Sequence, residues 1–397
     1  MKILYTIHSL YNPGGMERVL LNKVTYLTEK LHWDVVIVTT DQKGRPTFYP
    51  FPKGVRMIDL GINYSDDNGK GFFAKFMGYM RRKCKHKRLL TELLKREKPD
   101  VVDCFYPGEC GFVPGLKDGS KKVMELHQSK LFHHQYNRTG LMGLADKVRA
   151  RMDERLVRRF DRFVVLTEED ARMWGELPNI VVIPNAAMAT ECPPADVDCK
   201  RVIAVGRLDY QKGFDRLIEA WDIVQQRPES KGWRLDIFGQ GEWKEMLQGL
   251  IEKHGLQQSA RINSPTTCIG EEYAKSAMLV MSSHYEGFPM VMVEAMAHAL
   301  PVVSFDFKCG PRDIIDHGAN GLIVPDGNIS ALAEAMLRLI ADDELRKRMS
   351  VNAKNVVNRY SEEKVMEQWV KGIYKGEGTL RVKGEGLRDS NKVKGER

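Results

Sequence analysis

One unit recurs along this chain and narrows its folding options more than any other feature: a short apolar run, a turn, then an amphipathic stretch at helical spacing. Apolar runs near residues 2–9, 34–39, 55–60, 100–105, 122–126, 162–166 and 179–184 fill the first half. A second series near 201–205, 233–238, 277–282, 301–305 and 321–325 fills the rest. Strands buried on both faces read as continuous apolar runs, and their alternation with helices predicts an α/β protein with parallel sheets. Two series suit two domains, as does a length of 397 residues. A polar, proline-bearing stretch at 191–198 separates them. The predicted division is one domain over 1–190, a second over 196–360, a helix at 361–375 crossing back to the first, and a disordered tail at 376–397.

Ligands of open parallel sheets gather beyond the carboxyl ends of the strands, so the loops there carry the candidate site residues. Residues 283–297 read as a strand end, a loop and the opening of a helix. Gly287 allows the sharp turn, and Pro289 suits the first helical position. The free N–H groups near Phe288 and the helix dipole favour an anion such as a diphosphate. Glu286 and Glu294 beside it are placed to accept hydrogen bonds from sugar hydroxyls. Arg207 and Lys212 share one loop after the run at 201–205, and two cations there suit a diphosphate. Gly14 and Gly15 precede an amphipathic run at 19–27, which reads either as a phosphate cradle or as a tight turn without ligand. That turn has neither the Gly-x-Gly-x-x-Gly fingerprint nor the terminal Lys-Ser/Thr of a P-loop. His127 follows the run at 122–126 and fits either a site residue or a hydrogen-bonding loop residue.

A composition of 43% apolar and 29% charged residues excludes wholesale disorder. The seven cysteines form no C-x-x-C pair, which fits reduced thiols in a cytoplasmic protein. The opening residues read as a strand and not as a secretory apolar region, and no run approaches a membrane span. The formal net charge of +8 is local in origin: residues 81–98 hold nine basic and two acidic side chains. Leu89, Leu90, Leu93 and Leu94 form the predicted buried stripe of this helix. Just before it stand Phe72, Phe73, Phe76, Met77, Tyr79 and Met80, and a second basic run occupies 147–159. The combination fits attachment to an anionic membrane surface, or a solvated helix face. Nucleic acid is disfavoured, because the aromatic residues form one block and do not alternate with the basic ones.

Four motifs in order then carry a resemblance: Gly14-Gly15-x-Glu17, Gly206-Arg207 through Lys212-Gly213, Glu286-Gly287-Phe288-Pro289 through Glu294, and Gly310-Pro311. Over residues 1–375 the chain resembles the retaining family 4 glycosyltransferases (glycosyl transferases group 1) of the GT-B fold. The resemblance implies two Rossmann-like β/α/β domains facing across a cleft, with the nucleotide-sugar donor mainly in the second and the acceptor in the first. It further implies that Arg207 and Lys212 hold the donor diphosphate, Glu286 contacts the donor sugar, Glu294 binds the ribose, and His127 faces the reacting sugar. Gly14 and Gly15 would lie near the diphosphate, and backbone around Pro265 and Thr266 near the base. The Cys309-Gly310-Pro311 variant resembles members that use UDP-linked sugars in bacterial surface polysaccharide assembly.

With two cations and two helix N-termini on the leaving group, no cofactor and no divalent metal is expected. The expected partners are a nucleotide diphosphate sugar and a glycan or lipid-linked acceptor at the membrane. A noncatalytic nucleotide-sugar-binding subunit, or a synthase acting on a small soluble acceptor, shares the same residues. A dinucleotide oxidoreductase would need a glycine fingerprint that neither half supplies.

Overall fold

A computed structural model describes residues 1–12, 14–67, 72–105, 110–130, 140–187, 193–266 and 268–376. Its first sheet holds β1 (Lys2–Ile7), β2 (Asp34–Thr39), β3 (Arg56–Asp59), β4 (Val101–Phe105), β5 (Lys121–Glu125), β6 (Arg162–Val165) and β7 (Ile180–Val182). Their order is β3-β2-β1-β4-β5-β6-β7, and every pairing is parallel. The second sheet holds β8 (Arg201–Val205), β9 (Arg234–Phe238), β10 (Ala260–Asn263), β11 (Met278–Met281), β12 (Val302–Phe305) and β13 (Gly321–Val324). Its order is β10-β9-β8-β11-β12-β13, again parallel throughout. Each order reverses direction beside its first strand, between β1 and β4 and between β8 and β11. Those are the switch points where such sheets open a crevice.

Burial explains why these segments are strands. Val35, Val36, Ile37 and Val38 are each at most 1% exposed, as a central parallel strand covered on both faces requires. The helices between strands keep one apolar face. In Phe214–Gln225 the buried positions are Phe214, Leu217, Ile218, Ala220, Trp221 and Val224, one apolar face of the helix.

The chain passes from the first lobe to the second between β7 and β8. Ala195 and Asp196 are already hydrogen-bonded to His298 and Ala274 of the second lobe. The return is made by Glu362–Gln368 and its continuation as a wider helix, Trp369–Lys375. Ser361 caps its start by accepting from the Lys364 N–H at 3.4 Å. Val365, Met366, Trp369, Ile373 and Tyr374 on this segment then bury themselves among Ile3, Tyr5, Leu20 and Val24. The last segment of the described chain therefore completes the core of the first lobe. The tail expected to be disordered lies, apart from Gly376, outside the described residues.

The basic segment differs from expectation in two respects. Phe76, Met77, Tyr79 and Met80 do not precede the cationic helix but belong to it, since one helix spans Phe72–Glu97. All four are exposed, between 38% and 53%, while His86, Leu90, Leu93, Leu94 and Glu97 form the buried stripe and Leu89 is only half-buried. Among the described residues no helix is long and apolar enough to cross a membrane.

Candidate active site

The polar cluster of the second lobe arises where two loops meet. β8 and β11 are neighbours, so the loop after Val205 lies against the loop after Met281. Asp209 caps the turn Tyr210–Lys212 and accepts from the Lys212 N–H at 3.4 Å. Lys212 Nζ donates to Glu286 Oε1 at 2.6 Å, and Ser283 Oγ donates to the same oxygen at 2.8 Å. Gln211 Nε2 donates to Glu286 Oε2 at 3.1 Å, while Gln211 Oε1 accepts from an Arg207 Nη at 2.8 Å. Arg207, Lys212 and Glu286 are thus joined in one network, with Gln211 between them. Their exposure differs: the Arg207 side chain is 70% exposed and that of Lys212 is 13%. Arg207, 3.3 Å from Asp209, is open to a ligand, and Lys212 is held by a largely buried acid.

Glu294 is half-buried on the helix Met290–Ala297. Burial pushes its carboxyl up, opposed by the charges of Arg18 and Lys212 and by the Tyr273 phenol beside it. Arg18 belongs to the first lobe, so its charge reaches across the crevice. Pro289 does not open this helix as expected but caps it one residue earlier, with φ −76° and ψ 79°. Phe288 is buried at 7% exposure, edge-on to Tyr360 at 5.5 Å, so only its backbone is left for a ligand.

In the first lobe, Gly14 is the N-cap of the helix Gly15–Thr25. The Glu17 carboxylate fills the space beside Gly14, with Oε2 2.1 Å from where a Cβ would stand, while Gly15 faces nothing within 4 Å. The expected cradle is therefore open at Gly15 and closed by an acid at Gly14. Burial pushes the Glu17 carboxyl up, against the pull of His8 and His127 nearby.

His127 also departs from expectation. Its ring does not stand in the open crevice but stacks on Phe105, with centroids 4.7 Å apart and planes at 11°, and its side chain is 5% exposed. Nε2 donates to Glu125 Oε2 at 3.0 Å. Burial, and then the charge of Lys23, lower the ring's pKa to about 3, so it stays neutral at physiological pH. What His127 presents to the other lobe is its carbonyl: a Cβ on Gly287 would fall 2.2 Å from His127 O, so only glycine permits this approach. A second contact flanks the crevice, where the Cys309 N–H donates to Glu169 Oε2 at 2.8 Å and its thiol to Ser129 Oγ at 3.3 Å.

Pro265 and Thr266 follow the edge strand β10 and are exposed. They lie two strand spacings from β8, roughly 10 Å. Sequence reasoning missed Gln211, Ser283, Arg18 and Tyr273. Gln211 and Ser283 were legible in principle, because they lie in the loops that carry Arg207, Lys212 and Glu286; Arg18 and Tyr273 reach the site only through folding.

Two parallel-sheet lobes with a cation–carboxylate cluster at one switch point and a helix start opposite define a class: a glycosyltransferase of the GT-B fold. The comparisons agree. The family pattern for glycosyl transferases group 1 matches residues 193–356, and that for glycosyltransferase family 4 matches residues 13–187. The amylovoran biosynthesis glycosyltransferase AmsD of Erwinia amylovora is 40% identical over 386 residues, covering 93% of this chain and 98% of that protein. The crystal structure of TarM superposes with a TM-score of 0.77 at 19% identity, covering 93% of this chain and 98% of TarM. Anabaena HepE, solved in complex with UDP-glucose, gives 0.72 at 18% identity, covering 94% of this chain and all of HepE. The chain belongs to the group 1, family 4 glycosyltransferases and is an enzyme of that family.

Proposed function

We propose that this enzyme moves a hexose or N-acetylhexosamine, with retention, from a nucleotide diphosphate sugar to a glycan or lipid-linked glycan in bacterial surface polysaccharide assembly. A UDP-linked donor is favoured and GDP-mannose is second. The observation that carries the reading is the Arg207–Gln211–Glu286–Lys212 network at the β8/β11 switch point. Without donor, Lys212 is held by Glu286. An arriving diphosphate competes for that ammonium and for the exposed Arg207 guanidinium, which frees Glu286 to accept hydrogen bonds from the sugar. As the glycosyl–phosphate bond breaks, negative charge grows on the phosphate oxygens, where the two cations and the helix starts at Gly15 and Met290 stabilise it. Preformed donors of this kind contribute about 3–4 kcal/mol each. The charge is met without a divalent ion. Glu294, near Lys212, takes the ribose, and backbone beside Pro265 and Thr266 takes the base.

Retention follows from attack on the face the diphosphate leaves, with the departing phosphate accepting the acceptor's proton. A covalent glycosyl adduct on Glu286, seen by mass spectrometry, would replace that scheme with a double displacement. The donor is tested by thermal shift against UDP, GDP and ADP sugars. A rise in Tm with one of them, lost in Lys212→Ala, supports the reading; no rise with any of them ends it.

The exposed Phe76, Met77, Tyr79 and Met80 together with Arg81 and Lys87 support a cytoplasmic enzyme peripheral on the inner face of an anionic membrane. Arg82 and Lys85 belong to the fold instead, since they donate to the Ile62 and Gly61 carbonyls at 3.2 and 2.8 Å.

A further inference from the structure

Behind His127 the first lobe holds a group of charges that the mechanism above does not use. Glu125 ends β5, and its second oxygen, Oε1, accepts from Lys23 Nζ. Asp103 on β4 lies 3.6 Å from the same ammonium. None of the three side chains exceeds 5% exposure. Lys23 sits among aromatic rings: its Nζ is 3.2 Å from the centroid of Trp369, 5.3 Å from Tyr5 and 5.8 Å from Phe105. Tyr5 Oη is 2.6 Å from Tyr374 Oη. Trp369 and Tyr374 belong to the crossing helix, so four separate stretches of chain close around one ammonium.

A buried ion pair of this kind gives no guarantee of stability, because desolvation of both charges offsets their attraction. Its arrangement points to a different role. A neutral imidazole has one N–H and one lone pair, and the partner of the first decides which nitrogen carries it. Glu125 offers only an acceptor to Nε2, so Nε2 holds the proton and Nδ1 is left as the lone-pair nitrogen. Glu125 is itself held by Lys23, and Lys23 by the Trp369 face. Burial and then the Glu125 charge push the Asp103 carboxyl well up, opposed by the charge of Lys23.

We propose that Glu125 is the positioning residue for His127, fixing its tautomer and ring plane, and that Lys23 under Trp369 fixes Glu125 in turn. The inference deepens the glycosyl-transfer reading and rests on it for its kinetic part alone. It makes His127 Nδ1 an acceptor only, able to take a hydrogen bond from a hydroxyl that reaches the ring and never to give one. It also makes the crossing helix a support of the acceptor-side site.

The test uses the full chain labelled with ¹⁵N-histidine, with the His127 resonances assigned by their loss in His127→Asn. In the parent, the Nε2-protonated neutral tautomer is expected throughout pH 5–8. Glu125→Gln presents an amide that donates as well as accepts. It is expected to shift His127 to mixed or Nδ1-protonated forms, with the UDP-induced rise in Tm unchanged and UDP release from UDP-glucose slowed about tenfold or more at unchanged KM. Should the lone Lys23 prevent that variant from folding, the charge-neutral Lys23→Met/Glu125→Gln protein makes the same measurement. Trp369→Leu is expected to broaden or move the His127 signals. A parent ring that titrates near its ordinary pKa, or unaltered His127 tautomers in both Glu125 variants, would overturn the proposal. Unaltered signals in Trp369→Leu would remove the crossing helix from it. A parent that neither binds UDP nor releases it from UDP-glucose counts against the donor reading, and the NMR result still decides this one.

Discussion

The two lobes share a strand topology but arrange their charges in opposite ways at the crevice. In the second lobe, Arg207, Lys212 and Glu286 come from two loops on adjacent strands and stand where a ligand can reach them. In the first lobe, Lys23, Asp103 and Glu125 lie inside the core, while Glu17, Arg18, Glu169 and the His127 carbonyl are turned to the crevice. One half therefore binds through displayed charge and the other through shape held from beneath. Substitutions in the second lobe should alter turnover and spare folding, and truncations in the buried cluster of the first should cost stability.

The sharpest test of the first half is Trp369→Ala. Truncating a buried tryptophan typically costs about 3–5 kcal/mol, and here it also uncovers Lys23. Denaturant unfolding should show a loss of that size; a loss below about 1 kcal/mol would break the contrast. For the second half, Lys212→Ala should lower turnover about a hundredfold or more while leaving the unfolding midpoint nearly unchanged. Near-normal activity would remove Lys212 from the site. Gly287→Ala tests the seam between the halves, because its methyl would collide with the His127 carbonyl. A displaced seam should slow turnover roughly tenfold or more with little change in donor affinity, measurable by steady-state kinetics.

A smaller effect concerns Asp170, where burial raises the pKa to about 6 although it accepts from the Lys130 N–H and Trp174 Nε1. A carboxyl raised in this way stabilises the fold fully below its unfolded pKa. As pH climbs toward 6 the unfolded chain releases the proton first, so that stability is lost, at ~1.4 kcal/mol for each tenfold difference in proton affinity between the folded and unfolded chain. Asp170→Asn should flatten the fall between about pH 4 and 6 in unfolding curves compared with the parent; an unchanged slope refutes the assignment. The smallest effect is expected at the surface. Replacing Arg81, Lys83 and Lys87 by glutamine should weaken binding to phosphatidylserine vesicles by about 1 kcal/mol per residue and spare donor binding. Unchanged vesicle binding ends the membrane proposal.

The same contrast explains what was legible in the sequence. The central strands of both sheets were, because parallel strands covered on both faces must be continuously apolar; the edge strand β10, with Arg261 and Asn263, was not. The second-lobe cluster was legible too: Arg207 and Lys212 lie five residues apart, and Glu286 stands at the end of the next strand in the sheet. The first-lobe cluster was not. Lys23 reads as an ordinary polar position on an amphipathic helix, and Glu125 as the last residue of a strand. Asp103 interrupts an apolar run without any local reason. The ring that covers Lys23, Trp369, lies hundreds of residues away, and no periodicity within a short window connects them. The setting of the His127 ring was not legible for the same reason, since it depends on Glu125 and Phe105. Nor was that of Gly14, where the Glu17 side chain folds back over the turn.

The crossing helix also bears on how the polypeptide is made. Synthesis proceeds from the amino end, and domains ordinarily fold as units as they emerge. Here the amino-terminal sheet lacks Trp369, Ile373 and Tyr374 until residues beyond 374 have been made and have left the ribosome. During that interval Tyr5, Lys23 and their neighbours are exposed to water or to a chaperone. Nascent chains released before Trp369 should be protease-sensitive in their first half, while residues 201–360 already resist.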